Sequence, residues 1–198
     1  MSLFEKEPKK PYLTTKPSEK SFQTSIERDF LGHELKEKLL ATNLLFVPNQ
    51  GYMDKSELLY FTVGTSDLHQ YIIDKNIDGL RADICLEEKD YKEVALHADW
   101  LIIAEFIVKE VVAPLFVALL AEYIMKKLGN KKEETNIKSK FTLVDEKTGE
   151  HTEYKYEGPA KDYRSIMLHT ISKASPKGLP IPAELKIKRK RRTKKKRS

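Results

Sequence analysis

A single cysteine, Cys85, in 198 residues excludes an internal disulfide framework and suits a reducing compartment. With no Cys-x-x-Cys pair and five scattered histidines, no structural zinc site is expected. His33-Glu34 begins like a metalloprotease signature, but Glu37 stands where the second histidine belongs. The first twenty residues contain no apolar core of a secretory signal, so a cytoplasmic location is expected. Long hydrophobic runs are also missing. The longest stretch without a polar side chain is Val111–Ala121, 11 residues. As a helix it covers roughly 16 Å, about half of a hydrocarbon layer, so no transmembrane span is expected. There is no Gly-x-Ser-x-Gly elbow and no Gly-rich Walker or dinucleotide loop.

What the chain does have is one greasy segment, Trp100–Leu128. Its composition suggests a long central helix, kinked near Pro114, since an interior proline removes a hydrogen bond and clashes with the preceding turn. Glu105 and Lys109, spaced i,i+4, would form an exposed edge on its first half. Its second half, apolar all round, would be enclosed. Lys126, Lys127 and Gly129 would stop it. The enclosure could come from this chain or from a protein partner or second copy. Val112, Leu115, Phe116, Leu119, Leu120 and Tyr123 are the candidate interface residues.

Around that segment the pattern implies an α/β (α+β) protein, with small antiparallel or mixed sheets packed on the helix. Residues 1–22, with three prolines and few apolar groups, read as a disordered or extended arm. Residues 23–174 read as the globular core. Residues 175–198 read as a Pro-containing linker and basic tail. A helix is expected from Thr24, capped through Glu27, to about Ala41, with Ile26, Phe30, Leu31, Leu35, Leu39 and Leu40 on one stripe. Strands are expected at Leu44–Val47, Glu57–Val63 and Leu80–Glu87. In the last of these Ala82, Ile84 and Leu86 face one way; Asp83 and Cys85 take the polar side. Lys89–Asp99 reads as helical. Ile137–Val144 and Glu150–Glu157 read as a hairpin with residue 141 opposite 152 and Lys140 opposite Glu153. A short helix, Asp162–Lys173, follows. Residues 44–75 and 137–173 share a strand–turn–strand–Gly–helix order, a weak internal symmetry.

Candidate chemistry is sparse. Ser66, Asp67 and His69 are suggestive types, but Thr65 or Ser66 has an evident task as a helix cap. Gly64, Thr65 and Ser66 lie between a strand and a helix, a geometry that can receive an anion. No catalytic residue, metal or cofactor is marked.

Charge is the feature with a mechanism behind it. The chain carries +6, yet the run Lys186, Lys188, Arg189, Lys190, Arg191, Arg192, Lys194, Lys195, Lys196 and Arg197 contributes +10, leaving −4 for the rest. Such a run releases counterions from a polyanion, and without aromatics it reads no base sequence. The first expectation is a non-enzymatic accessory protein that binds nucleic acid non-specifically through this tail. The alternatives are a small nucleotide- or phosphate-binding enzyme domain using Gly64–Asp67, and a peripheral protein on anionic membranes.

Overall fold

The computed structural model describes residues 10–52, 55–96, 100–129 and 135–174. The basic run and residues 1–9 lie outside them. The fold is α+β. Its main sheet has six strands in the order β1 (Tyr12–Pro17), β9 (His151–Pro159), β8 (Asn136–Val144), β7 (Leu101–Lys109), β2 (Leu44–Val47), β5 (Ala82–Ile84). It is mixed: β7 runs parallel to β8, and β2 parallel to β5, while the other neighbours are antiparallel. A second, three-stranded sheet holds β3 (Asn49–Tyr52), β4 (Lys55–Thr62) and β6 (Glu93–Val94). The helices are α1 (Phe22–Ile26), α2 (His33–Leu40), α3 (Thr65–Asp74), α4 (Ala113–Leu128) and α5 (Ala160–Ala174).

The greasy segment is not one kinked helix. Its first part is β7, an interior strand, and only Ala113–Leu128 is helical, after a 3₁₀ turn at Glu110–Val112. Ile102, Ile103, Ile107 and Val108 are β-branched and prefer the pleated sheet. Much of β7 is covered on both faces, Phe106 and Val108 in the main core and Ile107 under α1 and α2, and a strand buried on both faces shows a continuous apolar run rather than alternation. Pro114 falls in the first turn of α4, where its missing N–H and fixed φ cost nothing. The expected exposed Glu105–Lys109 edge is absent. Glu105 is buried and held by Lys20 (2.6 Å) and Lys140 (3.1 Å), and Lys109 pairs with Glu146 (2.7 Å).

β7, α4 and β8 form a strand–helix–strand crossover. It buries α4 between the sheet and helices α3 and α5, so ten of its sixteen residues are buried. A ladder of rings crosses this layer. Phe46 packs edge-on to Phe106 (5.0 Å), Phe106 to Phe116 (4.8 Å) and Phe116 to Phe141 (5.7 Å), and Phe141 stacks on Tyr154 (5.2 Å). α1 and α2 cover part of the opposite face over Leu45, Val47, Cys85, Ile107 and Val144. Among the described residues no helix is long and apolar enough to cross a membrane.

Other expectations need correction. Of the two readings of the N-terminal arm, residues 12–17 take the extended one: they pair with β9 as the edge strand. The first helix is split. Ser21, not Thr24, caps α1, with Thr24 at its third position completing the box. α2 starts after Gly32. The third strand shrinks to Ala82–Ile84, and Cys85, expected on its polar side, is fully buried. Within 89–96 there is no α-helix, only a 3₁₀ turn and β6; residues 97–99 lie outside the described set. The hairpin stands, but Phe141 opposes Tyr154, a slip of two residues from the expected register. An even slip keeps the faces, so Ile137, Phe141, Leu143, Tyr154 and Tyr156 still share the core side. Lys140 now faces Lys155 and reaches Glu153 diagonally at 3.7 Å. The internal symmetry does not extend to the sheets, because β2 and β4 belong to different ones whereas β8 and β9 pair directly.

Candidate functional site

A large opening, about 1050 Å³, lies beyond the carboxyl end of β5, beside the first turns of α2 and α3. Ligands of open α/β sheets commonly lodge outside the carboxyl ends of parallel strands, and β2 and β5 are one of the parallel pairs here. The walls combine His33, Glu34 and Lys38 from α2 with Ser66 and His69 from α3. Asp83, Ile84, Leu86, Glu87, Glu88 and Tyr91 come from β5 and the loop after it.

His69 is the group with the most chemistry. It packs edge-on to Phe46 at 5.3 Å. Its Nε2 is buried without a hydrogen-bond partner among the described residues. Burial pushes its pKa down; Asp83 and a hydrogen bond with the Ala82 backbone pull it up, and Lys38 pushes it down further. The net direction is downward, so the ring is neutral at neutral pH. Asp83 is pinned by Lys38 (2.7 Å) and takes the Ile84 N–H (2.9 Å). Four carboxylates against one ammonium give the opening an acidic rim, which suits a ligand bearing cationic or hydrogen-bond-donating groups. No set of three His, Cys, Asp or Glu side chains among the described residues could hold a metal ion.

Gly64, Thr65 and Ser66 do occupy a strand-to-helix turn. Gly64 has φ +91°, a left-handed conformation that glycine adopts without a steric cost, and precedes α3. No side-chain hydroxyl caps that helix. Glu93 does so from β6: its Oε2 accepts the Gly64 N–H (2.9 Å), and its Oε1 accepts the Ser66 N–H (2.8 Å) and the Tyr91 hydroxyl (2.7 Å). A protein carboxylate therefore sits where an external anion would bind. Partial burial raises the Glu93 pKa, but the three donated hydrogen bonds outweigh it and hold the carboxyl below its ordinary value. Burial, then Glu93, keeps the Tyr91 phenol protonated well above its usual range. Glu87 plays a similar part at α2, accepting the Gly32 N–H at 2.9 Å.

Ser66 and His69 share a helix face and both line the opening, but Asp67 turns to Lys127 on α4 (2.7 Å). The carboxylate beside His69 is Asp83, from the strand where it was expected on the polar side without a role at a site. Glu93 was hidden in a segment expected to be helical. Among the expected interface residues, Val112, Phe116, Leu119, Leu120 and Tyr123 are buried by this chain alone, and Leu115 is half-buried. Lys186–Arg197 lie outside the described residues.

Comparisons with protein-family models, with curated proteins and with solved structures return no match.

Proposed function

We propose that this chain is a non-enzymatic accessory protein that holds nucleic acid through Lys186–Arg197, with the α/β body as its folded platform. The observation that carries this reading is the charge partition, +10 in the run against −4 elsewhere. Ten cations in twelve residues favour a polyanion through counterion release, and their lack of aromatics makes this contact independent of base sequence. An anionic lipid surface would attract the same run. The apolar helix that would assist insertion is enclosed, however, with Phe116, Leu119 and Leu120 all fully buried. The phosphate-binding alternative at Gly64–Ser66 would require Glu93 to leave its three donors.

The test is binding of a labelled duplex and a labelled single strand to the full chain and to a variant with all ten basic residues of the run changed to glutamine. A loss of at least a hundredfold in affinity is expected for the variant. Equal affinities for both proteins would overturn the reading.

A further inference from the structure

α1, α2 and residues 18–20 cover the sheet's second face around Ile107, Thr142 and Glu105, and leave its β1, β9 and outer β8 part more open. Elsewhere this face carries charge, and the register orders it into rows. Tyr12, Glu157, Lys138 and Ile102 lie side by side across β1, β9, β8 and β7. The next row is Thr14, Lys155, Lys140 and Glu105, and the third includes Lys16, Glu153 and Thr142. Lys20 joins from the segment after β1. Six ion pairs tie the eight charged groups into two clusters: Lys16–Glu153, Lys140–Glu153, Lys140–Glu105 and Lys20–Glu105 in one, Lys155–Glu157 and Lys138–Glu157 in the other.

The two signs are not at the same level. The five lysine side chains are 36% to 67% exposed, whereas the three glutamates are 6% to 23% exposed. Carboxylates form an inner layer and ammonium groups an outer one. Five cations over three anions leave +2 on a body whose overall balance is −4, so the acidic excess lies elsewhere. Each lysine keeps part of its ammonium toward solvent, so a phosphate can bind it there while the ion pair to the inner glutamate stays in place. Aromatic groups stand at both margins of the first row. Tyr12 is 59% exposed on the edge strand, and the Trp100 ring has the Lys138 ammonium 5.0 Å from its centroid. Between the margins, at the one-residue bulge of β7 after Ile102, is a depression of about 200 Å³ bounded by Ile102, Glu105, Lys138, Lys140 and Lys155 of this face and closed on its other side by Asn49, Thr62 and Leu96 from β3, β4 and the loop after β6. Flat sheet faces that combine cations with accessible rings suit unpaired bases, because every base offers a π-face while a duplex hides it.

We infer that this open face of β1-β9-β8-β7 binds single-stranded nucleic acid, with Lys16, Lys138 and Lys155 on phosphates and Tyr12 stacking on a base. The inference rests on the nucleic-acid reading above and gives it a strand preference that the tail cannot supply.

The test uses the full chain, folding being checked by circular dichroism, with labelled oligothymidine as probe and inorganic polyphosphate and phosphatidylserine vesicles as controls. K16Q/K138Q/K155Q should weaken oligothymidine binding about tenfold or more and lower the slope of log K against log salt by about 2. Tyr12→Ala should weaken oligothymidine about tenfold and leave polyphosphate binding unchanged. Unchanged oligothymidine affinity in both variants would overturn the inference and leave the tail reading standing. Equal losses on oligothymidine, polyphosphate and vesicles would also overturn it, since the face would then be a general anion surface. If the ten-glutamine tail variant keeps its affinity while the face variants lose theirs, the face is supported and the tail reading fails.

Discussion

Glu93→Gln tests how α3 is started. The helix has no side-chain cap of its own, and one carboxylate from β6 accepts both the Gly64 and the Ser66 N–H. Losing an N-cap acceptor typically costs about 1 kcal/mol, and hydrogen bonds to a charged group contribute about 1.5–3 kcal/mol each when well shielded. Glu93 is only partly buried, so the lower end applies. Glutamine keeps one acceptor oxygen and loses the charge. A loss of about 1 kcal/mol is expected for Glu93→Gln and about 2 kcal/mol for Glu93→Ala. In a protein of this size each kcal/mol lowers Tm by about 2–4 °C.

The pH dependence gives an independent check. The folded-state pKa of Glu93 is lowered from 4.5, so its contribution is complete above that value and is lost as the pH falls through the lower, folded-state value. Urea unfolding followed by circular dichroism should therefore separate wild type from Glu93→Gln at neutral pH and bring them together well below 4.5. A variant as stable as wild type at neutral pH would refute the capping argument. So would a gap that persists undiminished in acid.

Phe116→Asp or Leu119→Asp should unfold the protein instead of dissociating an oligomer, because both side chains are fully enclosed by this chain. An uncompensated charge in such a core removes several kcal/mol, comparable with the whole stability of a domain; circular dichroism with solution mass distinguishes the outcomes, and folded variants of unchanged mass would contradict the packing. Burial pushes the Cys85 thiol up to about 11, and the thiol donates to the Ser25 carbonyl at 3.2 Å. Its reaction with a disulfide reagent at neutral pH should be at least a hundredfold slower in the native protein than in urea. A native rate close to the unfolded rate would place the thiol outside the core.

Much of the fold was legible from short-range signals. The hairpin of β8 and β9 follows from alternation around Asp145–Gly149, where Gly149 adopts φ +72° and Asp145 accepts the Lys147 N–H at 2.8 Å. Its faces were right although the register slipped, because an even slip leaves the inward set intact. β7 was misread for a physical reason. A strand covered on both faces has no polar alternation, and its apolar run looks like a buried helix. The signals that separate the two were present: four β-branched residues before Lys109, and a proline better placed to begin a helix than to bend one.

The candidate sites were less legible because they depend on pairings distant in sequence. Glu93 reaches back to Gly64 and Ser66, and Glu87 to Gly32. His69 meets Asp83 only once β5 lies beside β2. The lysine layer likewise exists only after β1 joins β9 and β8 joins β7, bringing Lys16, Lys138 and Lys155 onto one face. No local window contains these pairs. The basic run is the reverse case, readable from composition alone.

The central claim, that the run Lys186–Arg197 holds nucleic acid, is tested most directly by the slope of log K against log salt. It should be measured for oligothymidine with the full chain and with the ten-glutamine variant. Ten phosphate contacts predict a slope near about −7 on a single strand, with about 2 more if the lysine face takes part. In the variant the slope should fall to about −2 if the face takes part and to about zero if the tail acts alone. The same slope in both proteins would contradict the claim.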